Sequence, residues 1–319
     1  MSFDSLWASL RDVGRDIKNH SLAHLDLYLE AFEARVTELG GTVHWTRDAA
    51  EARAVILDLC RAVGARTVTK SKSMITEEIG LNAFLEAHEL QPIETDLGEY
   101  ILQISGQPPS HIVGPAVHMT KDEISDLFEQ HHGGPRLEEA SDLVGAARKI
   151  MRRHYLAADV GVTGANFLVA ETGSAITVTN EGNAELTQGL PRTHIVIASL
   201  EKVVPTMEDA FTLLRLLARS ATGQEFTSYT TVMTGPKRAV DLDGPAHFHV
   251  VFGADADGDR RLLFAHHMLE GSEKFGGKIA MRHQDDADHL SLNHTYPQIR
   301  RPRLQGLRLI WRRARHRDV

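Results

Sequence analysis

The sequence predicts an α/β domain of three layers, with helices on both faces of a mostly parallel sheet. Strand-like runs such as RTVTKS, QPIETD and HIVIAS alternate with longer helix-like runs. Strands joined by helices usually pair in parallel, because each crossover helix returns the chain to the same end of the sheet. A length of 319 residues, 42% of them apolar, suits one large globular domain with appendages.

Capping signals predict where the first helices begin. Residues 1–38 carry apolar side chains at helical spacing. Asp48 and Glu51 have the spacing of a capping box, which opens a further helix. The segment SMITEEIGLNAFLEAHE is predicted as one helix, with Ser73 or Thr76 as its N-cap.

The second half of the chain repeats these signals. Capping boxes begin at Thr120 and Thr206, and residues 136–158 form a longer helix-like stretch. The segment FLVAETGSAITVT alternates like a β-hairpin that turns at Thr172 and Gly173. TSYTTVMTG and AHFHVVFG are predicted as the last strands.

The pattern divides the chain into three parts. Residues 1–64 are predicted as an N-terminal helical region packed on the main domain, residues 65–265 as the α/β domain, and residues 266–319 as a low-information basic tail. Residues 300–319 hold eight Arg and one Asp, so the overall charge of −8 leaves −15 for residues 1–299. An acidic body matches nucleic acid poorly. The tail suits an anionic partner, although a disordered terminus explains it more simply.

A single cysteine limits the redox chemistry of this chain. Cys60 lies in the apolar helical pattern AVILDLCRAVGA, which predicts a buried, inert thiol. One thiol cannot form an internal disulfide or hold an iron–sulfur cluster. The sequence has no run of 18 apolar residues and no signal-peptide core in MSFDSLWASLRDVGRDIKNH. We therefore expect a cytoplasmic protein without a membrane span.

Lys70, Lys72 and Ser73 lie where a predicted strand ends and a helix begins. Open parallel sheets bind ligands beyond the carboxyl ends of their strands, where helix N-termini offer free N–H groups. The two-residue period puts both lysines on one side of the strand. The segment predicts a carboxylate or phosphate site, and two solvated lysines at a sheet margin explain it equally well.

Thr163, Gly164 and Asn166 form a second candidate directly after the strand that ends at Val162. Glycine lets the backbone approach a ligand, while Thr and Asn supply neutral hydrogen-bonding groups. Such turns are common in carboxylate and phosphate sites. A plain tight turn explains these residues almost as well.

Glu171 and Glu181 are the candidate catalytic residues. Each acid lies among Gly, Thr and apolar neighbours, and Asn180 beside Glu181 is a further binding candidate. A partly desolvated carboxyl group has a raised pKa, which suits proton transfer. An acid that points from a hairpin into solvent is the commoner arrangement.

Acidic and histidine clusters give no metal site. Residues 94–100, ETDLGEY, place three acids in six positions and could hold a divalent ion, but a solvated acidic loop is the better interpretation. His247 and His249 share one face of a predicted strand, without the spacing of a zinc site. His111 and His194 each follow Pro and a hydroxyl residue before an apolar run, which predicts a cleft position for both.

Taken in this order, the motifs resemble the LUD-domain family of lactate-utilization proteins, most closely its long iron–sulfur branch. The likeness covers roughly residues 65–250 and rests on KSKSMITEEIGLN, ETDLGEYILQISGQPPSHIV, VGVTGANFLVAETGS, TNEGN, LPRTHIV, EKVVPT and RSATGQ. The resemblance implies a three-layer fold similar to sugar-phosphate isomerases and CoA transferases. It also implies a part in oxidising L-lactate to pyruvate, beside a second LUD-domain protein and a Cys-rich redox subunit.

Long members of the family continue into a ferredoxin-like segment with two Cys-rich runs, where this sequence has YPQIRRPRLQGLRLIWRRARHRDV. We therefore expect no cofactor in this chain and an iron–sulfur cluster only on partner subunits. In one hypothesis Lys70, Lys72 and the TGAN turn hold a small carboxylate and Glu171 moves a proton. A non-catalytic scaffold for redox subunits and an acyl-CoA or sugar-phosphate enzyme remain open alternatives, and so does a homo-oligomer.

Overall fold

A parallel six-stranded sheet lies at the centre of the computed structural model, which describes residues 3–108, 110, 114–225, 227–237 and 246–253. The strands of these residues are β1 (Thr42–Trp45), β2 (Thr67–Lys70), β3 (Gln91–Glu94), β4 (Val160–Gly164), β5 (Phe167–Val169), β6 (Ser174–Thr179), β7 (Thr193–Ala198), β8 (Val203–Val204), β9 (Tyr229–Thr234) and β10 (His247–Phe252). The central sheet has the order β1-β10-β7-β4-β2-β3, and every neighbouring pair is parallel. The predicted parallel sheet is confirmed.

Helices precede or connect most of the strands. They are α1 (Phe3–Ala23), α2 (Leu25–Glu38), α3 (Ala49–Ala62), α4 (Met74–Glu78), α5 (Leu81–Glu86), α6 (Leu97–Ser105), α7 (Lys121–His132), α8 (Ala140–Ala157), α9 (Asn183–Gly189) and α10 (Met207–Thr222), with a 3₁₀ turn at Leu200–Lys202. None of these described helices is long and apolar enough to cross a membrane.

The two faces of the central sheet pack into separate apolar clusters. Along β7, Ile195 turns to one face and Val196 to the other, as the two-residue period of a strand requires. On the first face Ile195 joins a cluster that includes Ile56 of α3 and residues of α4 and α5. On the second face Val196 joins a cluster that includes Phe32 of α2. Helices on both faces confirm the α/β fold class.

A second, four-stranded sheet has the order β8-β5-β6-β9, which the sequence did not predict. Its centre is the predicted hairpin: β5 and β6 are antiparallel, Val169 is paired with Ser174, and Gly173 takes a φ of 66° in the turn. One face of this sheet packs with Ile17 of α1 and Leu213 of α10. The other face contributes to the cluster that contains α2.

The helix starts predicted at Asp48, Thr120 and Thr206 are confirmed. At Thr120 and Thr206 both bonds of a capping box are present. The Asp48 side chain accepts from Glu51 N, as predicted, but the Glu51 carboxylate accepts from the backbone N–H of Arg47 instead of completing the box. Each cap satisfies a backbone group that the helix itself leaves unpaired.

The single helix predicted after Lys72 is wrong. It is divided into α4 and α5 by Gly80, whose φ of 63° lies in the left-handed region that ends a helix. Ser73 occupies the N-cap position of α4 without a side-chain capping bond. Thr76 lies inside α4, where its hydroxyl donates to the carbonyl of Ser73. With only five residues, α4 does not supply the helix N-terminus that the anion-site hypothesis invoked.

The solvated loop predicted for residues 94–100 is also wrong. Glu94 and Glu99 are buried, and the Asp96 side chain caps α6 by accepting from the backbone N–H groups of Gly98 and Glu99. The acids of this segment therefore belong to a strand end and a helix start rather than to a loop in water.

The N-terminal region takes part in the main core. The predicted helical region, residues 1–64, contains α1, α2 and α3 and also supplies β1, an edge strand of the central sheet. The described residues all fall within one unit, Met1–Gly258. The boundary predicted near residue 265 and the tail at residues 266–319 lie outside the described residues.

Strand β4 lies directly against α9 because Gly161 has no side chain. A Cβ built there would be 1.9 Å from the carbonyl oxygen of Thr187. We expect Gly161→Ala to lower the free energy of unfolding, measured in urea, by about 2 kcal/mol or more. Gly145→Ala in α8 is the matched control, because its Cβ would meet nothing within 4 Å, and it should raise stability by about 0.5–1 kcal/mol. Equal effects of the two variants would contradict this close packing.

Candidate functional site at the carboxyl ends of β2, β3 and β4

The strand order changes direction between β2 and β4. The strand that follows β2 in the sequence, β3, lies on one side of the β2–β4 pair, and β7, which comes after β4, lies on the other side. Such a switch point leaves a crevice beyond the carboxyl ends of the strands, where open α/β sheets bind ligands. Lys70, Glu94 and Gly164 are the residues that end the three strands there. We call this region the cleft.

Lys70 and Glu94 form a buried ion pair across the ends of β2 and β3. Lys70 Nζ lies 2.8 Å from Glu94 Oε1, and the side chains are only 2% and 5% exposed. Lys70 Nζ also donates to the hydroxyl of Thr76 at 3.0 Å, while the Asn82 amide donates to Glu94 Oε1 at 2.6 Å. These bonds connect α4 and α5 to the two strand ends, and the charge of Lys70 is neutralised inside the protein.

Lys72 keeps a buried ammonium group that is incompletely paired. Its Nζ lies 3.5 Å from Glu99 Oε1, yet it makes no hydrogen bond to any described residue. Glu94 Oε2 is likewise buried without a hydrogen-bond partner in the described part of the chain. Buried polar groups are nearly always hydrogen-bonded, so a buried ammonium group and a buried carboxylate oxygen without hydrogen bonds to the described residues need an explanation.

Ser73 and Gly164 bring the first two predicted segments together. The backbone N–H of Ser71 donates to Val162 O at 3.0 Å, which continues the β2–β4 ladder beyond the strand. A Cβ built on Gly164 would lie 2.8 Å from Ser73 Oγ. The missing side chain thus allows the backbone after β4 to approach the loop after β2.

Three carboxyl groups share the electrostatic environment of Lys72, and Asp96 acts on all three of them: Glu77, Glu99 and Glu181. Desolvation raises the pKa of Glu77, Glu99 and Glu181; repulsion from neighbouring acids adds to this, and attraction to Lys72 opposes it. Glu77 and Glu181 are exposed as whole residues, whereas Glu99 is buried, at 8% exposure. A carboxyl group with a raised pKa suits proton transfer near neutral pH.

His194 and Thr163 lie in the interior rather than at a cleft entrance. His194 is registered with Gly161 and Phe248, before the carboxyl ends of the strands. Its Nε2 is 2.9 Å from the Thr163 hydroxyl, and both residues are fully buried. Burial lowers the pKa of His194 to about 3, so the ring is neutral. These side chains contribute to the core.

Asn166 and Asn180 use their side chains within the protein. Asn166 Oδ1 accepts from the backbone N–H of Val178 at 2.9 Å and so holds the β5–β6 hairpin together. Asn180 Oδ1 accepts from the Ser228 hydroxyl at 3.1 Å. Both side-chain oxygens therefore have a structural partner.

Glu171 and Glu181 lie at opposite ends of the β5–β6 hairpin. Glu181 follows β6 and accepts a long 3.5 Å bond from Leu97 N at the cleft. Glu171 lies in the exposed turn, where its Oε2 accepts from Met207 N at 3.1 Å, the first residue of α10. The described contacts of Glu171 give it a helix-capping role and do not include either lysine.

Metal ligands are not grouped in the described part of the chain. No set of three or more His, Cys, Asp or Glu there has the arrangement of a metal site. The rings of His247 and His249 stack on each other with their centroids 6.1 Å apart. His111 lies outside the described residues. Cys60 is buried, and burial raises its pKa to about 12. An iron–sulfur cluster needs several thiolates and does not fit these residues.

Comparison with known proteins identifies the family. The sequence model of the LUD domain matches residues 29–252, which include the whole cleft. The chain belongs to the LUD domain family. Lactate utilization protein B from Geobacillus sp. (strain WCH70) is 48% identical over 246 residues, or 77% of this chain and 52% of the relative. The protein of the same name from Anoxybacillus flavithermus is 47% identical with the same coverage.

This LUD-domain chain spans about half the length of the curated relatives that it matches. A crystal structure of a DUF162 family protein from Deinococcus radiodurans matches 72% of this chain and 98% of its own, with 18% identity and a TM-score of 0.36. The family resemblance inferred from the motifs is confirmed.

Four of the cleft residues were not predicted as part of this LUD-domain site: Glu77, Glu94, Asp96 and Glu99. The sequence did contain evidence for these residues. The segment ETDLGEY begins at Glu94, the last residue of β3, and β3 pairs with β2, which ends at Lys70. Parallel neighbours end at the same edge of a sheet, so Glu94 had to lie near Lys70 once the pairing was known. The pairing itself was the missing information.

The Lys70–Glu94 pair gives a stability test. We expect Lys70→Met to lower the free energy of unfolding by about 3–5 kcal/mol, because it leaves the Glu94 charge buried without its cation. Adding Glu94→Gln to this variant should recover part of the loss. Glu38→Gln breaks an ion pair whose side chains are 54% and 65% exposed and should cost less than about 1 kcal/mol. Urea unfolding measures all three, and a similar cost for the buried and the exposed pair would contradict the interpretation.

Proposed function

We propose that this LUD-domain chain takes part in lactate utilization and binds a small carboxylate in the cleft. The names of the relatives support the pathway. The observation that carries the ligand class is the buried Lys72 Nζ, which has no hydrogen bond to the described residues. A carboxylate would give this ammonium the charge-assisted hydrogen bond that it lacks.

A 2-hydroxy acid complements the other groups of the cleft. An ionised carboxylate can only accept hydrogen bonds, so the buried Glu94 Oε2, which has no partner among the described residues, needs a donor. The hydroxyl of L-lactate is such a donor, placed one carbon from the carboxylate that would pair with Lys72. Pyruvate keeps the carboxylate but has no donor.

Glu99 is the group that we propose as proton acceptor. It is buried, its pKa is raised by desolvation, and its Oε1 lies 3.5 Å from Lys72 Nζ. Oxidation of a 2-hydroxy acid to a 2-oxo acid releases two protons and two electrons: the hydroxyl proton would pass to Glu99, the proton of the C2–H bond to water, and both electrons to an iron–sulfur partner. With one cysteine in its sequence, this chain would leave the electrons to partner subunits. The proposed partners are a second LUD-domain protein and a Cys-rich iron–sulfur subunit in the cytoplasm.

Titration calorimetry with L-lactate on the purified chain tests the site. Replacing Lys72 with Met removes one charge-assisted hydrogen bond, so we expect the dissociation constant to rise by roughly tenfold to hundredfold. Lys149→Met is the matched control, because Lys149 is an exposed lysine of α8, and it should leave the affinity unchanged. Circular dichroism establishes that both variants are folded.

A scaffold without its own ligand is the second candidate function. It is favoured by the internal bonds of Thr163, Asn166 and Asn180, which make these motif residues structural. Wild-type chain that binds neither L-lactate nor pyruvate at millimolar concentration would contradict the carboxylate site and support the scaffold. Equal binding by the Lys72 and Lys149 variants would remove Lys72 from the site.

Binding should also depend on pH. A bound anion next to Glu99 favours the protonated form of that carboxyl group. Affinity for L-lactate is therefore highest where Glu99 is protonated and falls as the pH rises through its pKa, which desolvation raises above the ordinary value; the ionised form that accepts the hydroxyl proton is populated above that pKa. Calorimetry on both sides of that pKa should show a flattened profile in Glu99→Gln and an unchanged profile in Glu171→Gln, whose acid lies at the far end of the hairpin. Affinity that rises with pH would contradict this role of Glu99.

A further inference from the structure

We infer that Thr95 is a positioning residue for ligand binding. Its hydroxyl fixes the direction in which the chain leaves β2, and with it the place of the Lys72 ammonium group. This inference rests on the proposed function, because Lys72 is the residue that would pair with the carboxylate. Thr95 directly follows β3 and is 4% exposed, so it acts through the backbone rather than on the ligand.

The peptide group that joins Lys70 to Ser71 is held from both sides. Its carbonyl oxygen accepts from the backbone N–H of Thr95 at 2.9 Å and from the Thr95 hydroxyl at 3.0 Å. Its N–H donates to Val162 O at 3.0 Å. The plane of this peptide group is therefore set by bonds to both neighbouring strands, one residue before Lys72.

The hydroxyl bond of Thr95 is separate from strand pairing. The backbone N–H bond continues the β2–β3 ladder, and any residue except proline would make it. A hydroxyl has one hydrogen, and Thr95 uses it on Lys70 O, so the Thr187 hydroxyl is the donor in the 3.2 Å bond between the two threonine side chains. Thr187 is a fully buried residue of α9. The Thr95 hydroxyl thus ties α9 to the end of β2.

The chain is held again directly after Lys72. The carbonyl of Ser73 accepts from the Thr76 N–H at 3.1 Å and from the Thr76 hydroxyl at 2.6 Å. Lys72 therefore lies between two fixed points of the backbone. A lysine side chain is long and flexible, so its ammonium group has a defined place only where the backbone that carries it is fixed. Loss of the Thr95 hydroxyl weakens the first of these points.

Thr95→Val tests this role, because it replaces the hydroxyl with a methyl group of similar size. We expect the dissociation constant for L-lactate, measured by calorimetry, to rise by about threefold to tenfold. Thr95→Ser keeps the hydroxyl and should bind within about twofold of wild type. In the control Ser125→Ala, a buried hydroxyl that donates to Leu137 O at 2.8 Å between α7 and α8 is lost, and the affinity should not change.

Amide hydrogen exchange gives a second measurement that needs no ligand. The N–H of Ser71 should exchange faster in Thr95→Val than in wild type or Thr95→Ser, because its peptide group is less firmly held. The amides of the central strand β7 are the internal reference for any general loss of stability. In Ser125→Ala the Ser71 amide should change no more than this reference.

The outcomes distinguish the positioning role from the site itself. Wild-type affinity in Thr95→Val, an equal loss in Thr95→Ser, or an equal loss in Ser125→Ala each overturns the role of Thr95 while lactate binding through Lys72 still stands. Unchanged exchange at Ser71 in Thr95→Val overturns the backbone mechanism. Wild-type chain that does not bind L-lactate overturns the proposed function, whatever the exchange at Ser71 shows.

Discussion

Two opposite charges buried together at the ends of β2 and β3 impose the local order of the cleft. Removing Lys70 and Glu94 from water is costly, and a protein tolerates it only where each charge has close, well-oriented partners. Those partners are Thr76 and Asn82, which come from two short helices that also pack into the apolar cluster on one face of the sheet. The pair therefore positions the backbone around it, and the loop that carries Lys72 begins directly after it.

Lys70 and Lys72 have different environments because β2 ends between them. Lys70 is the last residue of β2 and its side chain is held in the interior, whereas Lys72 follows the strand and meets α6 through Glu99. A two-residue period would have made them equivalent. Lys70 is therefore held in an ion pair with Glu94, and Lys72 alone lacks a hydrogen bond to the described residues, so the two lysines do not act together as the sequence predicted.

Local features of this fold were predictable, whereas long-range ones were not. Capping boxes at Thr120 and Thr206 are read from four consecutive residues, and the hairpin turn at Gly173 from a short alternating run. The strand order depends on pairings across the whole chain, so Glu94 was not connected with Lys70. For the same reason Glu171 and Glu181, ten residues apart, could not be assigned to opposite ends of a hairpin.

The edge strand β1 has a consequence for how this protein is made. Its partner is β10, the last strand of the described chain, so that His44 and His249 meet across 205 sequence positions. Closing so large a loop delays a contact until most other structure is present. During synthesis the N-terminal strand would wait, unpaired, until nearly all of the family domain had left the ribosome. An unpaired apolar strand is a target for chaperones and for aggregation, so this topology makes the yield of folded protein sensitive to the speed of translation.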